Sequence, residues 1–169
     1  MRAPRPSRSF VAGLAVVAFA LAACSSTGEQ VSDKIAKEAQ TKLELSAPPK
    51  TTCPDDAKAE KGATFDCSLV VEAATISIKI VFTDDKHFTF TPQSQVFGKS
   101  EFVIRVKADT AANNVELKTL TCPGTKFVVV PNSGTIDCKG VDTDGGKGTV
   151  RVGLDKDKSP IVKQLIPDK

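Results

Sequence analysis

The sequence predicts an α+β protein made of two tandem small modules, each with one helix packed on a three- to four-stranded antiparallel sheet and one internal disulfide. Three observations lead there. Four cysteines fall into two pairs with matching contexts: Thr52-Cys53-Pro54 with Gly62-Ala63-Thr64-Phe65-Asp66-Cys67, and Thr121-Cys122-Pro123 with Gly134-Thr135-Ile136-Asp137-Cys138. Beyond the second cysteine of each pair, Ile78, Ile80 and Phe82 correspond to Val150, Val152 and Leu154, so the chain reads as an internal duplication with a period of about 70 residues. Apolar residues recur at every fourth position ahead of the first pair and at every second position after it, the periods of a helix followed by strands.

The chain opens with Arg2, Arg5 and Arg8, an apolar run from Phe10 to Ala23, and the tetrapeptide Leu21-Ala22-Ala23-Cys24. A basic start, a short apolar stretch and small residues at its end make residues 1–23 a lipoprotein signal peptide. The run has 14 residues, short of the roughly 20 that a helix needs to cross a bilayer. Leu21-Ala22-Ala23-Cys24 resembles the lipobox of bacterial lipoproteins, in which the cysteine thiol takes the diacylglyceryl thioether. Cys24 is therefore the expected lipidation site and mature N-terminus, with residues 24–30 as a lipidated tether. The alternative is an ordinary secretory signal cut at an Ala-x-Ala-like site, which leaves Cys24 as an odd thiol. Acyl chains contribute about 0.8 kcal/mol per buried methylene, enough for two or three chains to hold a protein on a membrane without a spanning helix.

The first module is expected over residues 31–92. Val31, Ile35, Ala39 and Leu43 predict an amphipathic helix, with Ser32 as its N-cap and Pro48-Pro49 beyond its end. Ala63, Phe65, Cys67, Leu69 and Val71 then alternate with polar residues, as do Ile76, Ile78, Ile80 and Phe82, and Phe88 with Phe90, which predicts three strands in hairpins. The Cys53 segment supplies a fourth, shorter strand. Pro92 and Gly98 bracket the junction, and the second module is expected over residues 96–169. Its first element is ambiguous, because Phe102, Val106 and Thr110 are spaced as in a helix while Phe102, Ile104 and Val106 alternate as in a strand. Position in the repeat favours a helix over Glu101 to Asn114.

Export allows the cysteines to oxidise. Four cysteines permit three pairings, and only Cys53 with Cys67 and Cys122 with Cys138 gives both copies the same bridge within one module. Modules of this size bury little interior, so a staple is expected on physical grounds. Closing a loop of some 15 residues contributes on the order of 3 kcal/mol in the chain-entropy model. Metal binding or thiol redox chemistry calls for close spacing such as Cys-x-x-Cys, whereas 13 and 15 residues separate these partners.

The order of a helix, Cys53-Pro54, the Gly62-x-x-Phe65-x-Cys67 strand and an alternating hairpin resembles the actinobacterial envelope domain known as domain-of-unknown-function family 4333, which occurs in secreted proteins and lipoproteins. In the second copy Ser133-Gly134 replaces the spaced glycine, Ile136 replaces the phenylalanine, and Lys126 to Pro131 is more apolar than Ala57 to Lys61. The resemblance implies a small helix-plus-sheet fold and an extracytoplasmic site. It implies no activity.

Composition narrows the function classes. Removing the signal peptide takes three arginines from the 23 basic residues and leaves 20 against 20 acids, with no Trp, no Tyr and seven of the nine Phe. A neutral chain without Trp or Tyr lacks the basic surface and is short of the stacking aromatics that nucleic-acid binding needs. Any Ser-His-Asp or Cys-His arrangement must use His87, the sole imidazole, which reads as a solvated strand-edge residue beside Asp84-Asp85 at a turn. Asp155-Lys156-Asp157-Lys158-Ser159 echoes a calcium loop but has Pro160 and Ile166 where glycine and a closing acid belong, and Asp142-Thr143-Asp144-Gly145-Gly146 lacks the closing acid as well. Gly145-Gly146-Lys147-Gly148 joins two strands and opens no helix, so it is not a phosphate cradle. Phe127-Val128-Val129-Val130-Pro131 reads as a core strand or as an exposed edge for strand addition by a partner. Residues 24–97 carry 8 bases and 11 acids and residues 98–169 carry 12 and 9, a modest opposition of charge.

The expectation is a non-enzymatic binding or scaffolding lipoprotein on the extracytoplasmic face of the cell membrane. It carries no catalytic residues, no metal and no cofactor. Its partners are the membrane, through the lipid anchor, and an envelope protein, with the oligomeric state left open. Inhibition of a secreted enzyme is the alternative, and carriage of a lipid or small molecule a third reading.

Overall fold

Ser26 begins the first ordered element. In the computed structural model, which describes residues 17–18 and 26–168, its side chain accepts a hydrogen bond from the Glu29 N–H at 3.2 Å while the Glu29 carboxylate accepts one from the Ser26 N–H at 3.1 Å. This reciprocal capping starts helix α1 (Thr27–Leu43), whose buried face is Gly28, Val31, Ile35, Ala39 and Leu43. The expected cap, Ser32, is instead one turn inside the helix, where its hydroxyl donates to the Thr51 carbonyl at 2.8 Å. The expected tether over residues 24–30 is thus helical from Thr27 onward. The apolar period hid this start, because the first buried residue of the helix is a glycine. At the other end Glu44 takes the left-handed conformation, φ 52°, and the Leu45 N–H returns to the Gln40 carbonyl.

The chain divides into two compact units, one ending at Gln93 and the other starting at Ser94. In the first unit, β1 (Val17–Ala18), β2 (Thr51–Thr52), β3 (Thr64–Val71), β4 (Ala74–Phe82) and β5 (His87–Pro92) form an antiparallel sheet in the order β1-β5-β4-β3-β2. Cys67, Leu69 and Val71 of β3 and Ile76, Ile78, Ile80 and Phe82 of β4 are buried, as are Phe88 and Phe90. Alternation puts those side chains on one face and leaves Asp66, Ser68, Ser77 and Lys79 on the other. Phe82 anchors the far corner, its ring 5.5 Å from Phe88 and 6.0 Å from Phe65.

The second unit begins with a strand where Pro92 and Gly98 predict only a junction. Elements β6 (Ser94–Gly98) and β8 (Phe127–Pro131) pair antiparallel, Phe97 against Val128 and Gln95 against Val130. Val128 and Val130 are fully buried, so the core-strand reading of this apolar run holds and its edge toward β6 is occupied. Helix α2 (Lys99–Ala112) settles the ambiguous element: Phe102 and Val106 are fully buried while Ile104 is 68% exposed, a separation that a strand would not make. Then β7 (Leu117–Thr121), β9 (Ile136–Asp142), β10 (Lys147–Leu154) and β11 (Pro160–Pro167) form a sheet in the order β11-β10-β9-β7. Strand β11 goes beyond the strands that alternation in the sequence predicts. Its Val162 N–H donates to the Asp109 carboxylate at 2.6 Å, which fixes α2 to the sheet edge.

Strand order and disulfide position agree between the units. In each, a helix leads to a short strand and a cysteine, and that cysteine is bonded to one in the neighbouring strand of the sheet: Cys53 to Cys67 and Cys122 to Cys138, with β5-β4-β3-β2 in the first unit matching β11-β10-β9-β7 in the second. The molecule is α+β, with two stapled modules of one helix on an antiparallel sheet; β6 and β8 are an addition to the second.

Candidate functional site

Of the residues singled out in the sequence, Cys53, Cys67, Cys122 and Cys138 are all consumed in the two disulfides. Cys24 lies outside the described residues. His87 Nδ1 stands 2.8 Å from Asp84 Oδ2 at the β4–β5 turn, with Asp84 Oδ1 accepting the backbone N–H groups of Lys86 and His87 at 2.8 and 2.7 Å. The Lys86 N–H above all, with the His87 side chain and N–H adding to it, holds the Asp84 carboxyl below the usual aspartate range. Both members are part-exposed at a hairpin tip, where the carboxylate serves the turn.

The other hairpin aspartates do the same. Asp142 Oδ1 accepts from the N–H groups of Asp144 and Gly146, and Asp155 Oδ1 from those of Asp157 and Ser159. Among the described residues no group of three or more His, Cys, Asp or Glu could hold a metal ion, and no helix is long and apolar enough to cross a membrane. On the outer face of β9 and β10, Arg151 and Asp137 form a two-pronged pair at 2.8 and 3.0 Å, directly opposite in register. Hydrogen bonding by Arg151 pulls the Asp137 carboxyl down.

A concave feature appears when the two sheets are compared rung by rung from their disulfides. In the first unit Cys67 faces Ile78, and one step on Leu69 faces Ile76, both fully buried, followed by Val71 beside Ala74. In the second unit Cys138 faces Val150, one step on Gly140 faces Gly148, and Asp142 follows beside Gly146. The four aliphatic side chains of Leu69, Ile76, Val71 and Ala74 have no aliphatic counterpart on the helix-bearing face of the second unit. What remains is a groove of about 190 Å³ floored by Gly140 and Gly148, walled by Leu117, Val150, Leu165 and Pro167, and edged by the Asp142 carboxylate. It accepts an aliphatic group and carries one acid, Asp142, and one base, Lys147, in its lining. The signal was present in the sequence, since the offset of two from each second cysteine gives Leu69 in one unit and Gly140 in the other.

A family match covers this first architecture. Residues 11–87 match the model of a domain of unknown function (DUF4333). The matched stretch includes α1 and the Cys53–Cys67 bridge, the features that carry the resemblance, and stops before the second unit. No curated protein and no solved structure matches the chain.

Proposed function

We propose that the protein is a lipid-anchored, non-enzymatic lipoprotein of an actinobacterial cell envelope, a binding or scaffolding module whose second unit is a diverged copy of the first. The observation that carries the reading is Leu21-Ala22-Ala23-Cys24 at the end of a 14-residue apolar run behind three arginines. The two intact disulfides agree with it, because such bridges persist in oxidising compartments. The matched family stretch begins inside the apolar run and takes in Cys24. The common strand order and bridge position of the units support a duplication.

The polar chemistry favours binding over catalysis. The sole histidine and the hairpin aspartates are engaged in their own turns, and the groove of the second unit presents aliphatic walls. At about 190 Å³ that groove is smaller than the roughly 300 Å³ at which small-molecule pockets begin, so it suits one inserted aliphatic side chain of a protein partner better than a carried lipid. The test is metabolic labelling of the native host with an alkyne-bearing fatty acid, followed by mass spectrometry of the N-terminal peptide. Acylated Cys24 at the mature N-terminus, lost with membrane association in Cys24→Ala, is the expected result. A cytosolic chain retaining Met1 would overturn it.

A further inference from the structure

We propose that the end of the first unit formed by the start of α1 and the loop after Cys53 lies directly against the headgroups of the membrane that holds Cys24. This rests on the lipid-anchor reading of that cysteine. Thr27, the first residue of α1, comes three positions after Cys24. A chain extends at most about 3.6 Å per residue, so the helix starts within roughly 11 Å of the acylated position.

The tether cannot be lengthened cheaply by unwinding the helix. Its first turn is closed by the Ser26–Glu29 capping box, and Gly28 is buried against the chain at Cys53 and Pro54 so closely that a Cβ would overlap the Pro54 carbonyl oxygen. One turn later Ser32 is bonded to the Thr51 carbonyl. Peeling back α1 would break all three. The exposed loop residues Asp55, Asp56, Lys58 and Glu60 therefore share the anchored end. With Lys61 they amount to three acids and two bases, so tether length and not charge attraction makes the contact. Ser46 is exposed just past the other end of the 17-residue helix, about 26 Å away at 1.5 Å per residue.

The native cysteines make the experiment simple, because four are in disulfides and Cys24 is acylated, which leaves an introduced cysteine as the only free thiol. Acylated full-length Asp56→Cys and Ser46→Cys proteins, each labelled with a fluorophore, are reconstituted in phosphatidylcholine vesicles containing a lipid with a spin-labelled headgroup. The label at position 56 should lose most of its emission and the label at 46 keep it. A Gly-Ser insertion of about 12 residues after Cys24, reaching on the order of 19 Å, should restore emission at 56. Equal quenching at both positions, or quenching at 56 that survives the insertion, would overturn the apposition while leaving the anchor intact. An N-terminal peptide without acyl groups would remove the anchor itself, and the apposition with it.

Discussion

Gly28 shows how far a single residue's role depends on its tertiary neighbour. In an isolated helix Ala is preferred over Gly by about 1 kcal/mol, so Gly28→Ala ought to stabilise α1. Here the added methyl would meet the Pro54 carbonyl, a backbone atom held by the adjacent Cys53–Cys67 bridge. The clash outweighs the propensity. We expect Gly28→Ala to lower stability by about 1–3 kcal/mol in urea denaturation, the range for overpacked sites; a stabilised variant would show that the loop yields freely. Ser26→Ala should cost about 1 kcal/mol through loss of the cap. Asp84 gives the pH counterpart. Its carboxyl is held below the aspartate range by the Lys86 N–H first and by His87 as well. The folded state thus binds a proton less readily than the unfolded chain. The stabilisation is present above the unfolded pKa and is lost as pH falls through the lower folded value. Asp84→Asn should accordingly lower stability at neutral pH and leave it almost unchanged in acid, below the folded-state pKa, which flattens the acid limb of a stability–pH curve. The cysteines were legible because a covalent partner has one chemistry, whereas Gly28 was not, since its reason lies 25 residues away in Cys53 and beyond.

At the scale of elements, periodicity located what faces a single core and failed where a segment is buried on both sides or begins with a small residue. The alternation of β3, β4 and β5 and the stripe of α1 were readable from apolar spacing. Strand β6 was not, because Ser94 to Phe97 are all buried and two of them are polar. Its partner β8 lies 33 residues further along from its first residue, Ser94, to Phe127, so pairing could not be inferred locally. The groove of the second unit is likewise a property of two strands together. Its two floor glycines should respond differently to substitution. At Gly140 a Cβ meets Val150 Cγ2 at 3.2 Å and Leu117 Cδ2 at 3.3 Å, side-chain atoms that can give way. At Gly148 it meets the Ile166 carbonyl oxygen at 2.8 Å, part of the neighbouring strand β11. Gly140→Ala should therefore stay within about 1 kcal/mol of the parent, while Gly148→Ala loses about 1–3 kcal/mol and loosens the β10–β11 edge. Paired thermal melts and amide exchange in β11 would decide; equal effects would mean that the sheet edge gives as readily as the side chains do.

In the whole molecule, each disulfide closes a loop inside one compact unit and none joins the two. The bridged cysteines are 14 and 16 positions apart. Loops of this size are worth on the order of 3 kcal/mol in the chain-entropy account. For a unit of about 75 residues that is comparable to the whole margin a single small core supplies. Loss of one bridge should then unfold its own unit preferentially. The Cys122→Ala/Cys138→Ala double variant tests this with the Cys53–Cys67 bridge left intact. Hydrogen exchange resolved by peptide should accelerate across β7, β9 and β10, where Cys138 and Val150 are buried in one cluster with Phe102 and Val106. Exchange in α1 and β3–β5 should stay at the parent rate. The complementary Cys53→Ala/Cys67→Ala variant should reverse the pattern and, by freeing Pro54, loosen the start of α1 around Gly28 as well. If either variant accelerated exchange uniformly through both units, the chain would be one cooperative body, and the repeated bridges would stabilise a shared fold instead of two stapled modules.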